Sequence, residues 1–183
     1  EVTNEERKVT KDERRNKIAS QQEKDAERGI MVSVYRIDSL ANGRNRFKIS
    51  KNAEQNALTG VCIMHPRFNL VVVEGGTHSI NNYRKLMLNR IDWTENAGPS
   101  AVREGNREAQ ASWLAAEDEK GELKDLSLNS CILLWEGQAK TRSFRKWLGA
   151  RVCETDVAAK DVLARAKMEN FWVLAKTAKR AEF

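Results

Sequence analysis

The sequence predicts an α+β fold, a ferredoxin-like sandwich with additional N- and C-terminal helices. Three observations lead there. Residues 61–64 and 70–73 are short apolar runs rich in Val and Ile on either side of a tight turn at 65–69, the pattern of two buried strands in a hairpin. Gly75-Gly76 then lead into an amphipathic run in which Ile80, Tyr83, Leu86, Met87 and Ile91 recur at helical spacing, with Thr77 as its cap. Shorter apolar segments flank this unit. Strand, helix, hairpin, helix and strand thus follow one another, a succession that suits a sheet covered by helices.

Residues 4–28 contain no Gly or Pro and place mixed charges three and four apart, which suits an exposed helix. Its apolar side is thin (Val9, Ile18, Ala19 and Ala26), so it needs a docking surface in cis or on a partner. Gly29 ends it, dividing a charged N-terminal helix at 1–28 from a body at 29–183. Residues 30–37 alternate through Met31, Val32, Val34, Tyr35 and Ile37 and read as a strand. Asn42-Gly43-Arg44-Asn45 reads as a turn, and 46–49 as a second short strand with Phe47 and Ile49 on one face. Residues 52–57 read as a helical turn leading into the hairpin, whose Pro66 sets φ in the turn.

Beyond Trp93 the character changes. Residues 94–127 hold Gly98-Pro99, Gly105, Gly121 and the acidic run Glu117-Asp118-Glu119. They are expected to form an inserted acidic loop, a mobile surface excursion with a helical piece at 107–116. Residues 129–135 read as the last strand, with Cys131, Ile132, Leu133, Leu134 and Trp135 buried. Phe144, Trp147 and Leu148 fall at helical spacing within 143–148. Thr155-Asp156 looks like a helix cap, followed by one or two terminal helices carrying Val157, Ala158, Val162, Ala166, Phe171, Trp172 and Leu174. One face of the sheet is expected under helices; the other is open or covered by the flanking helices.

The 183 residues suit one domain and carry a net charge of +6. Residues 29–93 hold nine basic and four acidic side chains, 94–127 four and eight, and 128–183 eleven and six. A basic body with an acidic insertion points to a polyanionic partner. No apolar run is long enough to span a bilayer, so no membrane partner is expected. The three cysteines, Cys62, Cys131 and Cys153, form no CxxC pair, which argues against a disulfide framework or a zinc site and for a reducing compartment. The chain opens on Glu1 without Met and reads as a fragment.

Catalytic chemistry finds little support. His65 and His78 have no Cys or carboxylate at ligand spacing, so no metal or other cofactor is expected. No nucleophile elbow, P-loop or dinucleotide fingerprint is present. Glu74 before the Gly pair is a candidate base, although a lone carboxylate at a strand end is ordinarily structural. The turn Gly75-Gly76-Thr77-His78-Ser79 is more suggestive. Two glycines allow close approach to the backbone, and a helix N-terminus offers free N–H groups to a phosphate. Its plain alternative is an ordinary glycine turn with a Thr cap. Tyr83, Arg84, Lys85, Arg90 and Trp93 follow on the helix, and Lys140, Thr141, Arg142, Arg145 and Lys146 follow the last strand with Phe144 and Trp147 among them. Cations neutralise phosphates and exposed rings stack on unpaired bases, although Tyr83, Phe144 and Trp147 at helical spacing serve more commonly as core.

These residues carry a family resemblance. Asn52-Ala53-Glu54-Gln55, Leu58-Thr59-Gly60, Val71-Val72-Val73-Glu74-Gly75-Gly76, Tyr83-Arg84-Lys85-Leu86-Met87-Leu88 and Arg90-Ile91-Asp92-Trp93 resemble the C-terminal domain of the pre-mRNA-processing factor three family of U4/U6 small nuclear ribonucleoprotein splicing factors. Trp135-Glu136-Gly137 and Arg142-Ser143-Phe144-Arg145-Lys146-Trp147 fit the same family. The resemblance covers residues 29–174 and implies a ferredoxin-like domain with extra helices. It implies binding to the U4/U6 snRNA duplex stem and the adjoining single-stranded U6 3′ region, association with other U4/U6 and tri-snRNP proteins, and a nuclear location; the lack of catalytic motifs separately points to no enzymatic role. The residues expected at RNA are Gly75, Gly76, Thr77, His78 and Ser79 through the backbone. Arg84, Lys85, Arg90, Lys140, Arg142 and Arg145 are the expected phosphate partners, and Tyr83 and Trp93 the expected stacking rings. Two rivals stand beside this reading: a module that docks acidic proteins, and a small phosphate-ester enzyme using Glu74 or His78.

Overall fold

A computed structural model describes residues 2–96 and 111–178. Helix α1 (Val2–Glu27) precedes strand β1 (Ile30–Ile37) and helix α2 (Gly43–Gln55). The hairpin β2 (Thr59–Met64) and β3 (Asn69–Gly75) follows, then helix α3 (Thr77–Lys85), which runs on into a wider π-type turn at Leu86–Arg90. A short 3-10 turn at Ser112–Leu114 leads to β4 (Cys131–Ala139) and β5 (Trp147–Val152). Helices α4 (Asp156–Ala164) and α5 (Glu169–Thr177) close the described chain. The expected α+β class holds: the strands form one mixed five-stranded sheet in the order β4-β1-β3-β2-β5. Its pairs are antiparallel except β2 with β5.

The hairpin lies where its apolar runs predict. Thr59 faces Glu74 at its open end and Met64 faces Asn69 next to the turn. Both strands are covered on both sides, which is why they read as continuous apolar runs rather than alternating ones. On one side α2 and α3 pack Ile49, Ala53, Ile80, Tyr83 and Met87 onto Tyr35, Cys62, Val71 and Val73. On the other, α4 and α5 pack Ala159, Leu163, Trp172 and Ala175 onto Val34, Ile63, Leu70 and Val72. The second face is therefore closed by the terminal helices. Thr155 caps α4 as expected, its hydroxyl accepting from Ala158 N at 3.1 Å.

Four local expectations are corrected. Residues 46–49 are helix, not strand. The Asn42 side chain caps α2 by accepting from Arg44 N at 3.0 Å, and Arg46, Ile49 and Ala53 recur on its buried side. A four-residue window cannot separate a period of two from one of 3.6, so the Phe47/Ile49 alternation was ambiguous. Residues 147–152 are a strand, not part of a helical segment. Trp147 packs on the α2–α3 side and Leu148 on the α4–α5 side, as strand neighbours must. β4 is an edge strand, so Ile132 and Trp135 are 38% and 39% exposed instead of buried. The described end of the insertion is anchored: Leu114 and Ala116 are buried, and Asn96 Nδ2 donates to Ala116 O and Lys124 O. Residues 107–110 of the expected helical piece at 107–116 lie outside the described residues, and 111–116 hold only the short 3-10 turn at Ser112–Leu114.

Candidate nucleic-acid interface

The last residues of β3 organise one end of the sheet. The side chain of Glu74 is fully buried beneath the β4–β5 loop. Its carboxylate accepts from Thr59 Oγ1 at 2.8 Å, Ser143 N at 2.9 Å and Phe144 N at 2.6 Å. Arg142 adds a second tie, its Nη1 donating to Thr59 Oγ1 and to Glu74 O, each at 3.0 Å. Phe144 is 7% exposed and fills the core beneath. The loop is thus clamped at its middle, and it holds Lys140, Arg145 and Lys146 in solvent.

Gly76, not Thr77, is the cap residue of α3 and offers no side chain to its N–H groups. The missing acceptor comes from α1. Asp25 Oδ2 accepts from His78 N at 3.0 Å and from Ser79 N at 3.3 Å. The expected open anion site at this helix start is therefore filled by a carboxylate of the chain itself, which takes the place a phosphate oxygen would take. A Cβ on Gly76 would lie 2.1 Å from Asp25 Oδ2 and 2.8 Å from Ala26 N. Here glycine serves the close approach of α1. A second tie runs from Gln22 Nε2 to Gln55 O at 2.7 Å.

Two grooves flank the docked half of α1. One, of about 620 Å³, is lined by Ile18, Lys24, Asp25, Arg28, His78 and Asn82 among others. The other, of about 670 Å³, is lined by Ala19, Glu23, Ala26, Lys140, Thr141 and Arg142 among others. Gly75, Gly76, Thr77, His78 and Ser79 thus lie at one end of the sheet with Lys140 and Arg142, and α1 crosses between them. Lys24 and Arg28 also face this region, although the near-neutral charge of α1 had hidden them among its acidic neighbours.

Other expected site residues lie elsewhere. Lys85 and Arg90 are exposed farther along α3 and its π-type turn, and Arg145 is exposed on the loop. Arg84 Nη1 lies 2.6 Å from both carboxylate oxygens of Glu136, and its Nη2 donates to Asn81 Oδ1. Tyr83 and Trp93 are corrected from stacking rings to core. Tyr83 is fully buried, its hydroxyl donates to Ile49 O at 2.9 Å, and burial holds its pKa well above the usual phenol value. Trp93 is 7% exposed and its Nε1 donates to Met87 O at 2.8 Å. Among the described residues no group of three or more His, Cys, Asp and Glu could hold a metal ion, and no helix is long and apolar enough to cross a membrane.

The Asp25 cap has a direct consequence. Asp25→Ala is expected to lower stability by about 1 kcal/mol, the usual cost of a lost cap. Because α1 touches the body mainly through its last turns, amide exchange should rise across residues 18–28 and little elsewhere. Hydrogen exchange read by mass spectrometry checks this, and unchanged protection of that stretch would contradict it.

Residues 33–175 match the family described as small nuclear ribonucleoprotein Prp3, C-terminal domain. The chain is 39% identical over 178 residues to the U4/U5/U6 small nuclear ribonucleoprotein prp3 of Schizosaccharomyces pombe, a match covering 97% of this chain and 31% of that protein. It is 37% identical over 145 residues to Protein RDM16 of Arabidopsis thaliana, covering 79% of this chain and 16% of that protein. The chain thus spans less than a third of the length of either relative. Among solved structures, the dark-state BLUF protein BlrB is similar with a TM-score of 0.42 at 13% identity, covering 82% of this chain and 86% of its own.

Proposed function

The chain belongs to the small nuclear ribonucleoprotein Prp3 C-terminal domain family, and on that premise we propose that it is an RNA-binding domain of a U4/U6 snRNP protein in pre-mRNA splicing. It binds the U4/U6 snRNA duplex stem and the adjoining single-stranded U6 3′ region, within the U4/U6·U5 tri-snRNP and among that particle's proteins, in the nucleus. The observation that carries this reading is family membership across nearly the whole described body, residues 33–175. The order β1-α2-β2-β3-α3-β4 with β4-β1-β3-β2 in space supports a ferredoxin-like core to which α1, β5, α4 and α5 are added.

Exposed Lys85, Arg90, Lys140 and Arg145 meet phosphates, together with Lys24 and Arg28 beside α3. Arg142 positions the loop that carries two of these cations. The backbone from Gly75 to Ser79 reaches phosphate only where α1 withdraws Asp25. Binding rather than catalysis is the role. What supports this is that Glu74, one candidate base, is buried with three donors on its carboxylate.

The test is binding of a labelled stem with a single-stranded 3′ overhang, against bare stem and bare strand, at several salt concentrations. A clear preference for the junction, falling steeply with salt, is the expected result. Arg145→Gln should weaken binding and lower the salt slope by about 1. Weak, equal binding to all three RNAs would shift the reading to a module that docks acidic proteins.

A further inference from the structure

The outer side of α2 presents Arg44, Phe47, Lys48 and Lys51, all exposed. They stand at i, i+3, i+4 and i+7, so they form one stripe along the helix. Its inner side, with Arg46, Ile49 and Ala53, is buried. The helix is held from two directions, by the Asn42 cap and by Arg46 Nη1 donating to the carbonyls of Leu40 and Leu114. Phe47 is 64% exposed. A single apolar side chain in water is ordinary on a protein surface. This ring, however, is framed by three cations on a rigid element, and among the described residues none of the three is ion-paired. It is also available where Tyr83, Trp93 and Phe144, the rings that the sequence set among the basic residues, are committed to the core.

We propose that this stripe is a contact surface for single-stranded RNA, with Phe47 stacking on an unpaired base and Arg44, Lys48 and Lys51 meeting the flanking phosphates. The inference rests on the RNA-binding reading above and extends the interface to a second surface. Charge complementarity selects a polyanion. The π-face at the centre of the cations selects one with unpaired bases, because stacking tolerates any base whereas an acidic peptide offers the ring nothing comparable. Helix α2 packs beside β5, which directly follows the basic β4–β5 loop, so one strand can pass from the loop cations onto the stripe.

The experiment uses the full chain with Phe47→Ala, with Lys48→Gln/Lys51→Gln, and with Arg145→Gln as a loop control. Fluorescence anisotropy reads a labelled single-stranded oligoribonucleotide, a blunt RNA duplex and a Glu/Asp-rich peptide across a salt series. Phe47→Ala should weaken single-strand binding by about tenfold, leave its salt slope unchanged and spare the duplex. Lys48→Gln/Lys51→Gln should lower the single-strand slope by about 1.4, two phosphates' worth. If both α2 variants bind RNA as the parent does while Arg145→Gln binds more weakly, the α2 inference falls and the RNA-binding reading stands. If the α2 variants lose only the acidic peptide, the stripe is a protein-docking surface and the inference is overturned. If the parent binds no RNA, both fall.

Discussion

Replacing Trp172 with alanine is expected to destabilise the domain by about 4 kcal/mol, within the range for emptying a buried tryptophan site. Trp172 is fully buried on α5. Its ring stacks on Phe68 with centroids 4.5 Å apart and meets His65 edge-on at 5.1 Å. Its Nε1 donates to Asp156 Oδ1 at 3.3 Å, and Asp156 also receives Lys176 Nζ at 2.6 Å. Arg36 lies 4.9 Å from the centroid of the Phe68 ring and ties back to Ala175 O at 3.1 Å. Removing the indole therefore leaves a cavity and loosens the joint among β1, the hairpin turn, α4 and α5 at once. His65 shares that joint. Burial holds its pKa below the usual imidazole value, against the pull of Asp156 at 3.4 Å. Urea unfolding monitored by circular dichroism checks the expected loss. Trp172→Phe should cost less, because it keeps a ring on Phe68 and gives up the N–H bond and part of the volume. A loss under about 1 kcal/mol for the alanine variant would mean that α5 is not what closes this face.

Glu74→Ala is the second large effect, about 3 kcal/mol, because three donors lose a buried charged acceptor together. The Ser143 and Phe144 N–H groups would be left without their partner under the loop, and Thr59 Oγ1 would lose one of its two. The consequence is both local and global. The β4–β5 loop should lose amide protection around residues 141–146, and the cations Lys140 and Arg145 should lose their fixed placement. Glu74→Gln should be milder, since its carbonyl oxygen still accepts while its amide opposes one of the N–H groups. Denaturant unfolding together with hydrogen exchange checks the pair. Glu74→Ala with unaltered stability and a protected loop would show that Arg142 and Phe144 hold the loop without it.

The strands of the hairpin and the start of α4 were legible because each is a local statement. A Val-rich run of four residues reports burial on both sides, and Thr155 followed by a helical pattern reports a cap within three residues. The order of short motifs from Asn52 to Trp147 was enough to place the chain in its family, since that order is itself a property of sequence. The basic residues of the β4–β5 loop were legible too, as charges after a strand. The rest depended on partners far along the chain. Asp25 fills the start of α3 from 53 residues away, and no pattern near Gly76 announces it. Glu74 reads as a possible base until Ser143 and Phe144, about seventy residues later, fold over it. Tyr83 and Trp93 have the composition of stacking rings, and only the packing of α2 and the π-type turn against them makes them core. Residues 46–49 could alternate as a strand or wind as a helix. The buried seat for Arg46, Ile49 and Ala53 decided between the two, and in doing so turned Phe47 out to solvent. Sequence by itself determined where apolar and charged groups recur, hence the class, the hairpin and the family. Tertiary structure alone decided which of those groups remain available to a ligand, because burial and capping are set by contacts between segments that no local period encodes.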